Sequence, residues 1–163
     1  MDELVRHPQV LDAVESLIGP DIMIYHLTSW FKEPGDGTHV SWHQDGTYFG
    51  LEPYEQITAW IALTDATPEM GCIKIIPGSQ VIGQRPHKDM ISPTNLLSRG
   101  QTIDHPMDYT KYVMMPLKAG QVSLHHTRLS SRADKPTGGV DPSHLFRREE
   151  CISNHPRLSL KLL

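Results

Sequence analysis

At 163 residues, 38% hydrophobic and 21% charged, the chain has the size and composition of one soluble globular domain with its own core. A net charge of −4 argues against the basic face that nucleic acid requires, and Cys72 and Cys151, far apart and in no CxxC pair, argue against a disulfide framework or structural zinc. No charged-then-apolar leader opens the chain and no apolar run nears the roughly 20 residues of a membrane span, so a cytoplasmic protein is expected.

Val10, Leu11, Val14, Leu17 and Ile18 recur at helical spacing behind Pro8, and Gly19-Pro20 ends that helix. From Ile22 to Lys32, enrichment in Ile, Tyr, Thr, Trp and Phe predicts a strand, followed by a turn over Glu33–Gly37. His39–Trp42 is a short strand, Ile57–Leu63 a nearly continuous apolar one, and Cys72–Ile76 another, closed by Pro77-Gly78-Ser79. Residues 80–110 are loop-like, and a loop of that length commonly borders an opening; Asn95, Ser98 and Arg99 are its candidates. Tyr112–Leu117 and Gln121–Leu129 flank Lys118-Ala119-Gly120 as a hairpin would. The expected class is mainly β, a sandwich or barrel with an N-terminal helix. From Ser130 to Leu163 no alternation is sustained, so residues 1–129 form the core and 130–163 an unpatterned, irregular or disordered tail.

The sharpest feature is His43-x-Asp45. On an extended segment residues i and i+2 share a face, so an imidazole and a carboxylate reach one metal. Nitrogen plus carboxylate, completed by a distant histidine, is the facial triad of non-haem Fe(II) oxygenases, which leaves positions open for a chelating cosubstrate and oxygen. Gly46 lets the chain turn away without crowding the metal. Alone, the motif is common, and it needs its surroundings.

Those surroundings are Gly19-Pro20-Asp21-Ile22-Met23, Lys32-Glu33-Pro34-Gly35, Trp42-His43-Gln44-Asp45-Gly46-Thr47-Tyr48, Thr58-Ala59-Trp60-Ile61-Ala62-Leu63-Thr64-Asp65, Gly71-Cys72, Ile76-Pro77-Gly78-Ser79 and Leu124-His125-His126. In this order and spacing the chain from about Leu11 to Leu129 resembles the phytanoyl-CoA dioxygenase family. The resemblance implies a double-stranded β-helix, the cupin-like jelly roll, and a dioxygenase hydroxylating a small or lipid-like organic substrate. It implies Fe(II), 2-oxoglutarate as cosubstrate and O2, with His43 and Asp45 as catalytic iron ligands. It also implies Trp60, Thr28 and Gln44 as residues around the cosubstrate; Lys32 falls at a lysine shared with some members and receives no role.

The match breaks at the far end. By spacing from Leu124-His125-His126, the family's second iron histidine falls at Ser131, and its cosubstrate-binding arginine has no counterpart: Arg132 comes too early, Arg147 and Arg148 too late. Six residues of strand span roughly 20 Å, so His125 and His126 are read as pocket or core residues, not substitutes. His144 and His155 could in principle fold back from the tail but are not expected to. An altered, alternative or truncated end is expected, with a jelly roll left incomplete, an open edge and weakened iron and cosubstrate binding. The alternative is a non-catalytic member that keeps the scaffold as a binding module.

Overall fold

The computed structural model of the chain describes residues 2–32, 37–134, 146–153 and 159–160. The amphipathic pattern behind Pro8 gives α2 (Pro8–Ile18), after a single turn α1 (Asp2–Val5). Gly19, at φ 85°, ends it, its amide donating to the Glu15 carbonyl at 2.8 Å. The strand expected next is β1 (Met23–Phe31), and the short one leading to the motif is β2 (Val40–His43). Of the turn expected between them, only Gly37 lies within the described residues.

One helical turn, α3 (Gly46–Phe49), follows β2 directly, then β3 (Leu51–Glu52), β4 (Ile57–Ala62) and β5 (Ile73–Ile75). All six residues of β4 are buried, because both faces of the strand are covered. Ala59 and Ile61 pack against Val10 and Val14 of α2, while Trp60 and Ala62 pack with Cys72 and Ile73. The loop-like stretch holds two short 3-10 turns and a small ladder of β6 (His87–Lys88) with β7 (Thr102–Ile103).

β8 (Val113–Met115) and β9 (Val122–His126) do not form the expected hairpin: β8 pairs with β5 and β9 with β4, in different sheets. The turn between them is held by the neighbouring crossover instead. Leu117 and Ala66 exchange backbone bonds, Gly120 donates to the Ala62 carbonyl, and Ala119 donates to Asp65 Oδ1.

Within the stretch expected to be an unpatterned tail, the described residues form β10 (Ser131–Ala133) and β11 (Phe146–Ser153). β10 lies between β2 and β5, and β11 between β1 and β4, all antiparallel; β12 (Ser159–Leu160) pairs with β3. The sequence Phe146-Arg-Arg-Glu-Glu-Cys-Ile-Ser153 shows no alternation because backbone ladders on both sides, not an apolar stripe, define the strand. Two antiparallel sheets result, in the orders β1-β11-β4-β9 and β2-β10-β5-β8, with a core between them. This is the jelly roll, with β11 an inner strand of its sheet. Among the described residues no helix is long and apolar enough to cross a membrane.

Candidate metal centre and its cavity

His43 closes β2 and Asp45 stands at the N-cap of α3, in helical conformation (φ −58°, ψ −35°). The two side chains therefore converge across a strand-to-helix junction, not along an extended segment as first expected. Their approach is close: His43 Nε2 lies 3.1 Å from Asp45 Oδ1. Gly46 is required here, but for another reason than metal crowding. A Cβ on it would meet the Tyr54 ring at 2.8 Å and Gln84 Oε1 at 2.9 Å.

Each member of the pair is fixed from behind. His43 Nδ1 donates to the Ser41 carbonyl at 2.8 Å, since a carbonyl can only accept. That assignment turns Nε2 toward Asp45. An imidazole nitrogen and a carboxylate oxygen at this separation need a cation between them, either a proton or a metal ion. The other Asp45 oxygen accepts from Thr58 Oγ1 at 2.8 Å. Burial pushes Asp45 up, but the hydrogen bond and charge of His43, with help from Thr58, hold its carboxyl below the usual carboxylate value. Such backing of a histidine and a carboxylate is what orients metal ligands.

The donor set fits a divalent cation with His43 and Asp45 as two of its ligands. Among the described residues no group of three His, Cys, Asp or Glu side chains could hold a metal ion. Ser131, buried, takes the ladder position directly opposite His43, which is where spacing puts the missing histidine. His144 and His155 lie outside the described residues.

His43, Asp45, Thr28 and Thr58 line a cavity of about 410 Å³. Tyr25, His26, Trp30, Tyr48, Phe49, Leu96, Leu97 and Ser98 complete much of its wall. Trp60 is fully buried and stands behind His43, where it borders a second cavity of about 30 Å³ with Trp30, Lys32 and Ser131. Gln44, expected beside the cosubstrate, is fully buried just past the end of β2 and is not among the residues lining this cavity. Its Oε1 accepts from the Arg85 amide at 2.7 Å, and its Nε2 donates to the carbonyls of Gly83 at 3.1 Å and Arg128 at 2.6 Å. It fastens the segment after β5 to the ligand turn.

The loop-like stretch supplies Leu96, Leu97 and Ser98 to the wall, while Asn95 is buried and donates from Nδ2 to Ser41 Oγ at 3.1 Å. Arg99 is exposed, its charge opposing the burial that pushes the Tyr48 phenol well above its usual value. His125, opposite Thr58 in the β4–β9 ladder, is buried with Nε2 unpartnered among the described residues. Burial lowers its pKa, and the Asp45 charge opposes that. His126 is half-buried, its Nδ1 accepting from the Arg128 amide at 3.1 Å. Arg147 and Arg148 lie on β11, Arg147 opposite Trp30 and Ala62.

Sequence reasoning gave no role to Thr58, Ser41 or the aromatic wall. Thr58 was findable, since it stands two residues before Trp60 on one strand and so shares its face. Ser41 acts through its backbone carbonyl, which carries no sequence signal.

A jelly roll with a histidine and a carboxylate at the end of its second strand has the architecture of the non-haem iron oxygenases. The phytanoyl-CoA dioxygenase (PhyH) family matches residues 1–135, and the chain belongs to it. It is 33% identical over 132 residues to phytanoyl-CoA dioxygenase domain-containing protein 1 of Danio rerio, an alignment covering 75% of this chain and 44% of that protein. The solved structure of the non-heme monooxygenase ThoJ, in its apo form, superposes with a TM-score of 0.83 at 31% identity, over 99% of this chain and 57% of that one. The non-heme alpha-ketoglutarate-dependent carbocyclase SnoK from nogalamycin biosynthesis gives 0.71 at 26% identity, over 93% and 58%. The chain thus spans less than half of that curated relative.

Proposed function

We propose that this domain hydroxylates a small or lipid-like organic substrate with Fe(II), 2-oxoglutarate and O2, the iron held by His43 and Asp45. The single observation that carries the proposal is the 3.1 Å convergence of His43 Nε2 and Asp45 Oδ1, each fixed from behind, at the wall of a 410 Å³ cavity. Iron with its oxoacid supplies, when bound, the oxidising power for a C–H bond. The chain's own part is to place that bond. Ser41 and Thr58 hold the ligand atoms in line, Thr28 borders the space left for the cosubstrate, and Trp60 packs on the far side of His43. Leu96, Leu97 and the aromatic wall keep water from the reacting face. Its structural relatives support the chemistry: ThoJ is a non-heme monooxygenase, and SnoK is alpha-ketoglutarate dependent.

With Ser131 at the third ligand position, His43 and Asp45 are the protein donors among the described residues, and iron affinity is correspondingly reduced. That observation also favours a second reading, a scaffold that binds its ligand without turnover. Iron-dependent release of succinate from 2-oxoglutarate, with His43→Ala as the control, separates them. Succinate from the natural chain and none from the variant supports the oxygenase. Nickel binding without succinate supports the binding module, and absence of nickel binding removes the metal centre altogether.

A further inference from the structure

The outer part of the cavity is built from rings, and the chain departs from regular strand geometry to put two of them there. In β1 the register against β11 shifts between Ile24 and His26, so Tyr25 is an additional residue with no partner across the ladder. Strict alternation would send Tyr25 and His26 to opposite faces. With the bulge, both line the cavity. Phe49, the last residue of α3, completes the group: its ring meets Tyr25 edge-on at 6.1 Å and His26 at 6.4 Å. Tyr25 Oη donates to the Phe49 carbonyl at 3.0 Å and holds the two elements together. Gly50, at φ 59°, stops the helix there and fixes where the Phe49 ring is presented. Tyr25 is 39% exposed, which places the group at the mouth.

From this arrangement we infer that Tyr25, His26 and Phe49 are an aromatic clamp selecting a planar, ring-bearing substrate. The inference rests on the assignment of the His43–Asp45 end as the reacting end. Ring faces and edges recognise another ring by offset or edge-to-face contact, which a flexible alkyl chain does not reproduce. A cavity of this volume is the size that drug-sized ligands occupy.

The test uses the whole chain, with metal chelated, and two probes: 1-naphthol, flat and neutral, and decanoate, linear and charged. Equilibrium titration by fluorescence and calorimetry is expected to give naphthol binding about 10-fold tighter than decanoate. Phe49→Leu, which keeps apolar bulk, is expected to weaken naphthol about 5-fold and to leave decanoate unchanged, the loss expected for one aromatic pair. Tyr25→Leu, at the exposed mouth, is expected to act in the same direction about 3-fold, which keeps the test valid if the first variant folds poorly. Decanoate binding as tightly as naphthol, or both probes weakening equally in both variants, overturns the clamp. Nickel binding is titrated in parallel: naphthol failure with nickel binding retained sinks the clamp alone, and nickel failure with naphthol binding retained sinks only the metal centre.

Discussion

On β2 and β10, neighbouring strands of one sheet, two ends of the same ladder have been built for different work. Around His43 the bonds fix two converging side chains and their turn: Ser41 accepts from one ring nitrogen, Thr58 donates to Asp45, and Gln44 bolts the turn to Gly83, Arg85 and Arg128. Opposite it, Ser131 offers a short hydroxyl, and the bonds beyond it serve the backbone. Lys32, buried, donates at 2.6 Å to each of the carbonyls of Gly71 and Asp134, while Lys74 and Arg132 pair with the Asp134 carboxylate. The second strand is thus held in place independently of whether it carries a ligand. The bonds that hold β10 and those that fix the His43–Asp45 pair are separate, and each set can be broken without the other.

The largest effect is expected from breaking the scaffold. Gly71 has φ +68°, and a Cβ there would lie 2.1 Å from the Asp134 carbonyl oxygen and 2.7 Å from Lys32 Nζ. Gly71→Ala adds left-handed strain of about 1 kcal/mol or more to an overlap with backbone that cannot yield cheaply, about 3 kcal/mol in all. Denaturant unfolding should show that loss. A midpoint unchanged from the natural chain would mean that the Lys32 corner does not hold β10.

Rebuilding the chemistry is the next test. Ser131→His places an imidazole opposite His43, and nickel or cobalt affinity measured by titration should rise about 10- to 100-fold, the range spanned by ligand-supporting interactions in metal sites. Stability without metal should change little. Equal affinity in the two chains would show that the third coordination position points elsewhere.

How much of this was legible follows the same division. The helix behind Pro8 and the continuous strand at Ile57–Ala62 carry their signals in side-chain pattern and appear where it predicts them, whereas His43 and Asp45 converge across a helical junction that the i, i+2 argument did not foresee. β10 and β11 are recognised by their ladders: three residues of Ser-Arg-Ala and eight of a charged run have no period of their own, and only neighbours on both sides make them strands. The false hairpin at Lys118–Gly120 has a related cause. A turn motif marks a reversal of direction, but not which sheet the next strand joins. Gln44, placed beside the cosubstrate by the resemblance alone, spends its side chain on the Gly83, Arg85 and Arg128 backbone, bonds that no sequence pattern announces.

The smallest effect concerns pH at the corner that anchors β10. Burial pushes Asp134 up, but the hydrogen bond from Lys74 and the charge of Arg132 outweigh it, so its folded pKa lies below the ordinary carboxylate value. Lys74 is raised in turn, chiefly by its bond to Asp134. A carboxyl with a depressed folded pKa contributes stability above its unfolded pKa and loses it as pH falls through the folded one. Asp134→Asn should therefore lower stability at neutral pH by about 1 kcal/mol or less, because both partners keep some contact with solvent. The deficit should shrink on acidification, until the two chains converge once pH is below the folded pKa of Asp134. Unfolding curves that stay parallel across that range would mean the Asp134 carboxylate is not what holds the strand, leaving the Lys32 bonds to its backbone as the anchor.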